Sequence, residues 1–174
     1  SWLRWGRPTG WRCVIVPRHP ERGEMLVALC RELGLSAHCT STQQPTSSDV
    51  IIVDEIGRLA PLYALCAERG GIAVVGGSLG SGRGGQNMLE AAAASCCTVV
   101  GWDTKAQPDP MRLLRHADAV IELTADALDT QLAALASDPQ RRASVGTRGQ
   151  AAWRSGRGAL DRTIAILNRP RTFS

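Results

Sequence analysis

Short apolar runs rich in β-branched residues recur along this chain, and most are followed by a longer stretch of helical periodicity. A strand of four to six residues with hardly any polar interruption is buried on both faces. A half-solvated strand would instead alternate apolar and polar residues. Strands that alternate with helices are joined by crossovers and therefore run parallel. The expected fold is α/β, a Rossmann-like parallel sheet with helices on both faces. The predicted strands lie near 13–17, 36–40, 50–54, 72–75, 98–101 and 119–123. Helices are predicted over 21–33, 58–69, 87–95 and 110–116. Met25, Leu26, Leu29, Cys30 and Leu33 recur at helical spacing and give the first helix an expected apolar face. Beyond the last strand, 125–136 is amphipathic, and Asp138-Pro139 marks a boundary where another helix starts. A final helix is expected over 158–167. The domain plan is an irregular segment 1–12, one domain over 13–168 and a tail 169–174.

With 174 residues the chain can bury one real core. Twenty Lys and Arg against sixteen Asp and Glu leave a charge of +4, a mild bias toward phosphates or an anionic membrane surface. No nucleic-acid partner is expected. All the cations but Lys105 are arginine. Arginine grips phosphate with two prongs, but so lopsided a ratio more often reflects a GC-rich genome. Cys13, Cys30, Cys39, Cys66, Cys96 and Cys97 form no C-x-x-C pair. They are expected to be small buried hydrophobes in a reducing cytosol. A zinc site would need other spacings and a partnering His pair, so no metal is expected. No apolar run approaches the ~20 residues that cross a bilayer, and the N-terminus lacks a signal-peptide core. Membrane contact, if any, is expected to be peripheral.

The chemistry concentrates in the stretch VVGGSLGSGRGGQNMLEAAAA over 74–94, where an apolar run breaks into glycines and restarts as a helix. Eight of the sixteen residues from Gly70 to Gly85 are glycine. Such a loop can bring bare backbone N–H groups against a ligand, and a following helix start favours an anion. Gly84, Gly85, Gln86 and Asn87 are expected to face a phosphate. Glu90, three residues beyond Asn87, would accept hydrogen bonds from both hydroxyls of a ribose. A plainer role for Glu90 is to complement the helix dipole. The loop is not a P-loop, because no Gly-Lys-Ser/Thr follows. A dinucleotide fingerprint would use Gly82-x-Gly84 with Asp103 on the ribose, but the fingerprint needs a tighter turn than this. A loop with a purely structural role is the third possibility.

Two other strand ends carry candidates. VIVPRHPER over 14–22 delivers Arg18 and His19 to the edge of the sheet where ligands sit in parallel folds. Arg18 can pair with a phosphate, and His19 can donate to one or orient a sugar. Equally, Arg18 can be solvated and His19 can simply cap a turn. VDEIGRL over 53–59 offers Asp54, whose commoner job is helix capping, and Gly57, beside which a base or ribose can approach the backbone.

PRHPER at 17–22, D-x-x-G-x-L at 54–59 and VGGSL…GGQNMLEAA at 75–92 together resemble the C-terminal half of the 3-deoxy-D-manno-octulosonic acid (Kdo) transferases. The similarity continues through DPQRRASVGTRGQAA and GALDRTIAIL and covers roughly 13–167. The resemblance implies the C-terminal domain of a GT-B glycosyltransferase, a metal-independent enzyme without a cofactor. That family moves Kdo from CMP-Kdo to lipid A precursor in lipopolysaccharide synthesis, at the cytoplasmic face of the inner membrane. Arg18 would contact donor phosphate, with His19 and Gly57 beside the donor. Gly76, Gly77, Ser78, Gly84, Gly85, Gln86 and Asn87 would cradle the CMP portion, and Glu90 would hold its ribose. Gln86 stands where the family usually has His, and Ala91 where it has Pro. Residues 102–107 replace its P-H-x-x-N-F segment. The catalytic base and acceptor site belong to the family's N-terminal domain. The chain is therefore expected to be part of a longer protein and inactive in transfer by itself. The rival expectations are a nicotinamide-dinucleotide-binding oxidoreductase domain and a degenerate, non-catalytic transferase half.

Overall fold

Each of the six predicted strands forms, in parallel ladders that are mostly shorter than the apolar runs that encode them. The computed structural model describes residues 2–42, 47–80 and 82–156. The strands are β1 (Cys13–Ile15), β2 (Ala37–Cys39), β3 (Val50–Ile52), β4 (Ile72–Val74), β5 (Cys97–Val100) and β6 (Ile121–Glu122). They make two three-stranded sheets, ordered β1-β3-β2 and β4-β5-β6. The chain divides accordingly into two compact units, 1–62 with 126–138, and 63–125 with 139–174.

In the first unit β3 is central, with Val50 opposite both Cys13 and Ala37. Helix α2 (Gly23–Glu32) covers this sheet through only part of the expected apolar face, with Leu26 and Cys30 against the core. Met25, Leu29 and Leu33 are about half exposed. Gly23, Val27 and Cys30 are the buried residues, and Val27 and Cys30 pack with Leu35, Cys39, Val50 and Ile52. The reason is close approach: a Cβ on Gly23 would stand 2.8 Å from Cys39 Sγ and 3.1 Å from Asp54 Cβ. Small side chains let the helix lie flat on the strands, and bulkier ones are turned away.

The N-terminal segment, expected to be irregular, contains a helical turn, α1 (Trp2–Trp5), and a 3-10 turn at Arg7–Thr9. Aromatic packing orders it. The Trp5 and Trp11 rings meet edge to face at 5.8 Å, and Trp2 Nε1 donates to Trp11 O at 3.2 Å. Such geometry suits the ring quadrupoles and leaves the Trp2 N–H paired. Arg4 also reaches Asp129 on α6 (Leu128–Ser137) at 3.2 Å.

In the second unit β5 is central and all four of its residues are buried, as a strand sandwiched between layers requires. Its core joins Ala73, Val75, Met88, Ala91, Ala92, Val100, Met111 and Leu114. These come from β4, β5, the residues that follow β4, α4 (Leu89–Ala93) with Met88 before it, and α5 (Pro108–His116). Helix α3 (Leu59–Glu68) contributes Tyr63, Cys66 and Ala67 at the margin. Helix α7 (Pro139–Gly156) starts at the proline expected to open it. On it, a Cβ at Gly149 would lie 3.3 Å from Ala92 Cβ, and one at Gly146 only 2.1 Å from Ser95 O. Those two glycines let α7 pack directly on backbone. Gln150 then donates to Ala93 O at 3.2 Å.

All six cysteines are free thiols. No helix among the described residues is long and apolar enough to cross a membrane. The helix expected over 158–167 and the tail 169–174 lie outside the described residues.

Candidate functional site

The chain leaving β4 folds back on itself before α4 begins. Gly85 N–H donates to Gly77 O and Gln86 N–H to Gly76 O, both at 3.0 Å. These bonds bring together the two glycine segments that the sequence singled out, 76–78 and 84–87. Gly77, Gly84 and Gly85 have φ of 76°, 70° and 89°, a left-handed backbone that glycine adopts without strain. At Gly84 there is no room for a side chain either, since a Cβ would meet Ala106 N at 2.5 Å. Gly76 differs: it is exposed, and nothing lies within 4 Å of where its Cβ would be.

Ser78 sits beneath this turn, fully buried. Its hydroxyl donates to Val75 O at 2.6 Å and accepts from Gly101 N–H at 2.9 Å. Its carbonyl accepts from Asp103 N–H at 3.0 Å. Ser78 therefore ties the end of β4 to the end of β5. Its hydroxyl is thus buried and committed to two backbone groups within the turn expected to cradle the donor.

Three of the N–H groups expected to face a phosphate, those of Gly84, Gly85 and Gln86, have protein partners. Gly85 and Gln86 donate across the turn as above. Gly84 N–H points at Asp103 Oδ2, 3.3 Å away, and Gly82 N–H donates to the same oxygen at 2.9 Å. Lys105 Nζ stands 3.8 Å from that oxygen. Partial burial pushes the Asp103 carboxyl up, but the Gly82 N–H, the Lys105 ammonium and the Gly84 N–H outweigh it and hold it below its ordinary value. Asp103 thus engages the loop itself, not the position that a dinucleotide-binding fold would give it on a ribose.

Asn87 and Glu90 make the start of α4. Asn87 Oδ1 accepts from Leu89 N–H at 3.0 Å, and its amide donates to Glu90 Oε1 at 3.0 Å. An Asn oxygen on the N–H two residues ahead is an Asx turn, and here it leads into the helix and leaves the amide to hold Glu90. Both side chains are exposed, so the Glu90 carboxylate is open to solvent at the mouth of the loop. Beside it lies Tyr63, which the sequence did not single out. Burial first, then the Glu90 charge, pushes its phenol up to about 12. Glu90 lies in the first turn of α4, the position its dipole reading requires, but α4 is only five residues long.

Arg18, His19 and Gly57 belong to the first unit. Arg18 and His19 are exposed. His19 precedes the 3-10 turn Pro20–Arg22, with Nδ1 3.4 Å from Glu21 Oε1. Gly57 is exposed with φ of 84°. Asp54 does not cap α3. Its carboxylate accepts from Thr40 Oγ1, Ser41 N–H and Ser41 Oγ at 3.2, 3.1 and 2.5 Å, so it closes the start of the 3-10 turn Thr40–Thr42 instead. A cavity of about 160 Å³ in this unit, lined by Trp2, Arg7, Trp11 and Asp49 among others, includes none of the expected site residues. Among the described residues no group of three or more His, Cys, Asp or Glu is placed to hold a metal ion.

Known proteins place this architecture. The crystal structure of the C-terminal CMP-Kdo binding domain of WaaA from Acinetobacter baumannii superposes with a TM-score of 0.73 and 28% identity, covering 87% of this chain and 77% of that one. The fold is that of a GT-B glycosyltransferase C-terminal domain. In sequence, the 3-deoxy-D-manno-octulosonic acid transferase of Haemophilus influenzae is 33% identical over 158 residues, 88% of this chain and 36% of that protein. The Bordetella pertussis enzyme of the same name is 32% identical over 159 residues, with the same two coverages. A probable mitochondrial counterpart from Arabidopsis thaliana is 37% identical over 91 residues, 51% of this chain and 20% of that protein. No family model matches the chain. Kdo transferases are thus homologues of this chain, at 30–37% identity, and the chain matches their C-terminal half. It spans about a third of the length of the two bacterial relatives and a fifth of the plant one. Nothing in these likenesses supports the oxidoreductase alternative.

Proposed function

We propose that this chain binds the donor of a Kdo transferase, CMP-Kdo, through the loop between β4 and α4, and stabilises CMP as it leaves. The observation that carries the proposal is the match to a CMP-Kdo binding domain across 87% of the chain. The folded glycine turn at the C-terminal ends of β4 and β5 supports it, since that edge of a parallel sheet is where nucleotides bind.

In this reading Gly76 and Gly77 offer close backbone approach to the nucleotide. Gly84, Gly85 and Gln86 shape the seat through the bonds they make across the turn, with Ser78 as its base. Asn87 holds Glu90, and Glu90 accepts from the ribose diol. Arg18, His19 and Gly57 are assigned to the donor by the family resemblance alone, and residues 13–168 to one donor domain. Transfer to lipid A precursor, at the cytoplasmic face of the inner membrane, would require the base and acceptor site of the family's other half. Displacing CMP from an anomeric carbon needs a deprotonated acceptor and stabilisation of the departing phosphate. This chain serves the second need.

The test is calorimetric titration of CMP into the wild-type chain and into Glu90→Ala. Loss of two hydrogen bonds to a carboxylate is expected to weaken binding by about tenfold to a hundredfold. The melting temperature without ligand should stay near that of the wild type, because Glu90 is exposed. Equal affinities in the two proteins would remove Glu90 from the donor site.

A further inference from the structure

The glycine loop is held from one side by a single carboxylate. Asp103 follows the end of β5, and its Oδ2 takes the Gly82 N–H at 2.9 Å and faces the Gly84 N–H at 3.3 Å. The same short segment returns a bond to the loop, from Ala106 N–H to Gly84 O at 3.0 Å. Asp103 is itself fixed by donation of its own N–H to the Ser78 carbonyl. Two successive left-handed glycines, Gly84 and Gly85, lie in this grip. Glycine loses more conformational freedom on ordering than any other residue, so a loop this rich in it would sample many shapes if left alone. A charged acceptor shared by two N–H groups is the strongest local restraint available to it.

We propose that Asp103 is a positioning residue of the donor site: its carboxylate fills the N–H nest of Gly82 and Gly84 and holds the loop in the shape that receives the nucleotide. The inference rests on the donor reading of this loop and extends it to a side chain with no assigned role. Asp103 need not touch the donor. It acts by raising the fraction of molecules whose loop is competent, and apparent affinity scales with that fraction. If removing the carboxylate leaves about one molecule in ten competent, CMP binding weakens about tenfold. The anion that a free nest would attract from solution is already supplied internally, which also explains why these N–H groups do not serve the donor phosphate.

The test combines amide exchange followed by nuclear magnetic resonance with CMP titration, on the wild-type chain, Asp103→Ala and Asp103→Asn. In Asp103→Ala without ligand, the Gly82 and Gly84 amides should exchange at least about tenfold faster, while those of β5 and α7 keep their wild-type rates. Affinity for CMP should fall about tenfold, and saturating CMP should slow the loop amides again. Asp103→Asn keeps an oxygen that can accept from both N–H groups, so it should recover most of the affinity and protection. Wild-type loop exchange and wild-type affinity in Asp103→Ala would overturn the proposal. So would equal acceleration throughout β5 and α7, which would make Asp103 a general stabiliser of the unit. Failure of the wild-type chain to bind CMP would bring down the donor reading and this one together. CMP binding that is indifferent to Asp103 would bring down only the second.

Discussion

At Asp54 one side chain shows how a polar residue is held in place and what that implies for pH. Three donors from Thr40 and Ser41 converge on its carboxylate. Burial pushes the group up, but the Ser41 hydroxyl and N–H together with Thr40 hold it at about 2. In the unfolded chain an aspartate titrates near ~3.9. On acidification the unfolded chain therefore takes up the proton first. The contribution of Asp54 to stability is complete above that unfolded value and is lost as pH falls through about 2. Asp54→Asn should lower stability at pH 7 by about 1–2 kcal/mol, discounted for partial exposure. In urea titrations the gap between variant and wild type should narrow steadily below about pH 4. A gap that stays constant to pH 3 would show that the charge is not what the Ser41 bonds recognise.

At the scale of elements, the ends of β4 and β5 are joined through one serine and one glycine. A Cβ on Gly101 would lie 2.3 Å from Ser78 O and 2.8 Å from Leu79 N, both backbone atoms that cannot swing aside. Gly101→Ala should therefore cost about 3 kcal/mol or more, as overpacking at an unyielding contact does. Gly76→Ala, with open space around it and no left-handed φ, should change stability by less than about 1 kcal/mol. Thermal unfolding of the two variants checks the contrast, and equal losses would refute this account of the turn. The same comparison shows what the sequence could and could not reveal. The strands were legible because their apolar, β-branched runs carry little polar interruption, although only β5 is buried along its whole length and Val14 and Val74 are exposed. The break at Asp138-Pro139 was legible because proline opens a helix. The covering face of α2 was only partly legible: spacing found Leu26 and Cys30 but also rewarded Met25, Leu29 and Leu33, whereas the sheet admits Gly23 and Val27. The glycine loop was singled out as a candidate, but residue types do not encode where its N–H groups point. Asp103 was noticed only as the possible ribose ligand of a different fold. An acid just beyond the next strand, opposite a glycine-rich loop, was the signal for its actual place.

For the whole molecule, the donor proposal has a consequence that does not depend on any one side chain. A ligand that binds only the native state raises stability by about 2.7 kcal/mol at a hundred times its dissociation constant. For a chain of this length each kcal/mol moves the melting temperature by roughly 2–4 °C. CMP at that excess should therefore raise it by about 5–10 °C, if unfolding of the described units is coupled to the bound site. UDP, GDP and NAD at equal concentrations should give smaller shifts, because the proposed seat is matched to CMP. A larger shift with NAD would revive the dinucleotide alternative. The absence of any saturable shift would favour a transferase half that has lost its donor. Glu90→Ala supplies the internal control: its ligand-free melting temperature should match the wild type, while its CMP shift should shrink by about 3–5 °C for each tenfold loss of affinity, since tenfold is 1.4 kcal/mol. A variant that melts early without ligand would report on folding, whereas one that differs only when CMP is present reports on the site.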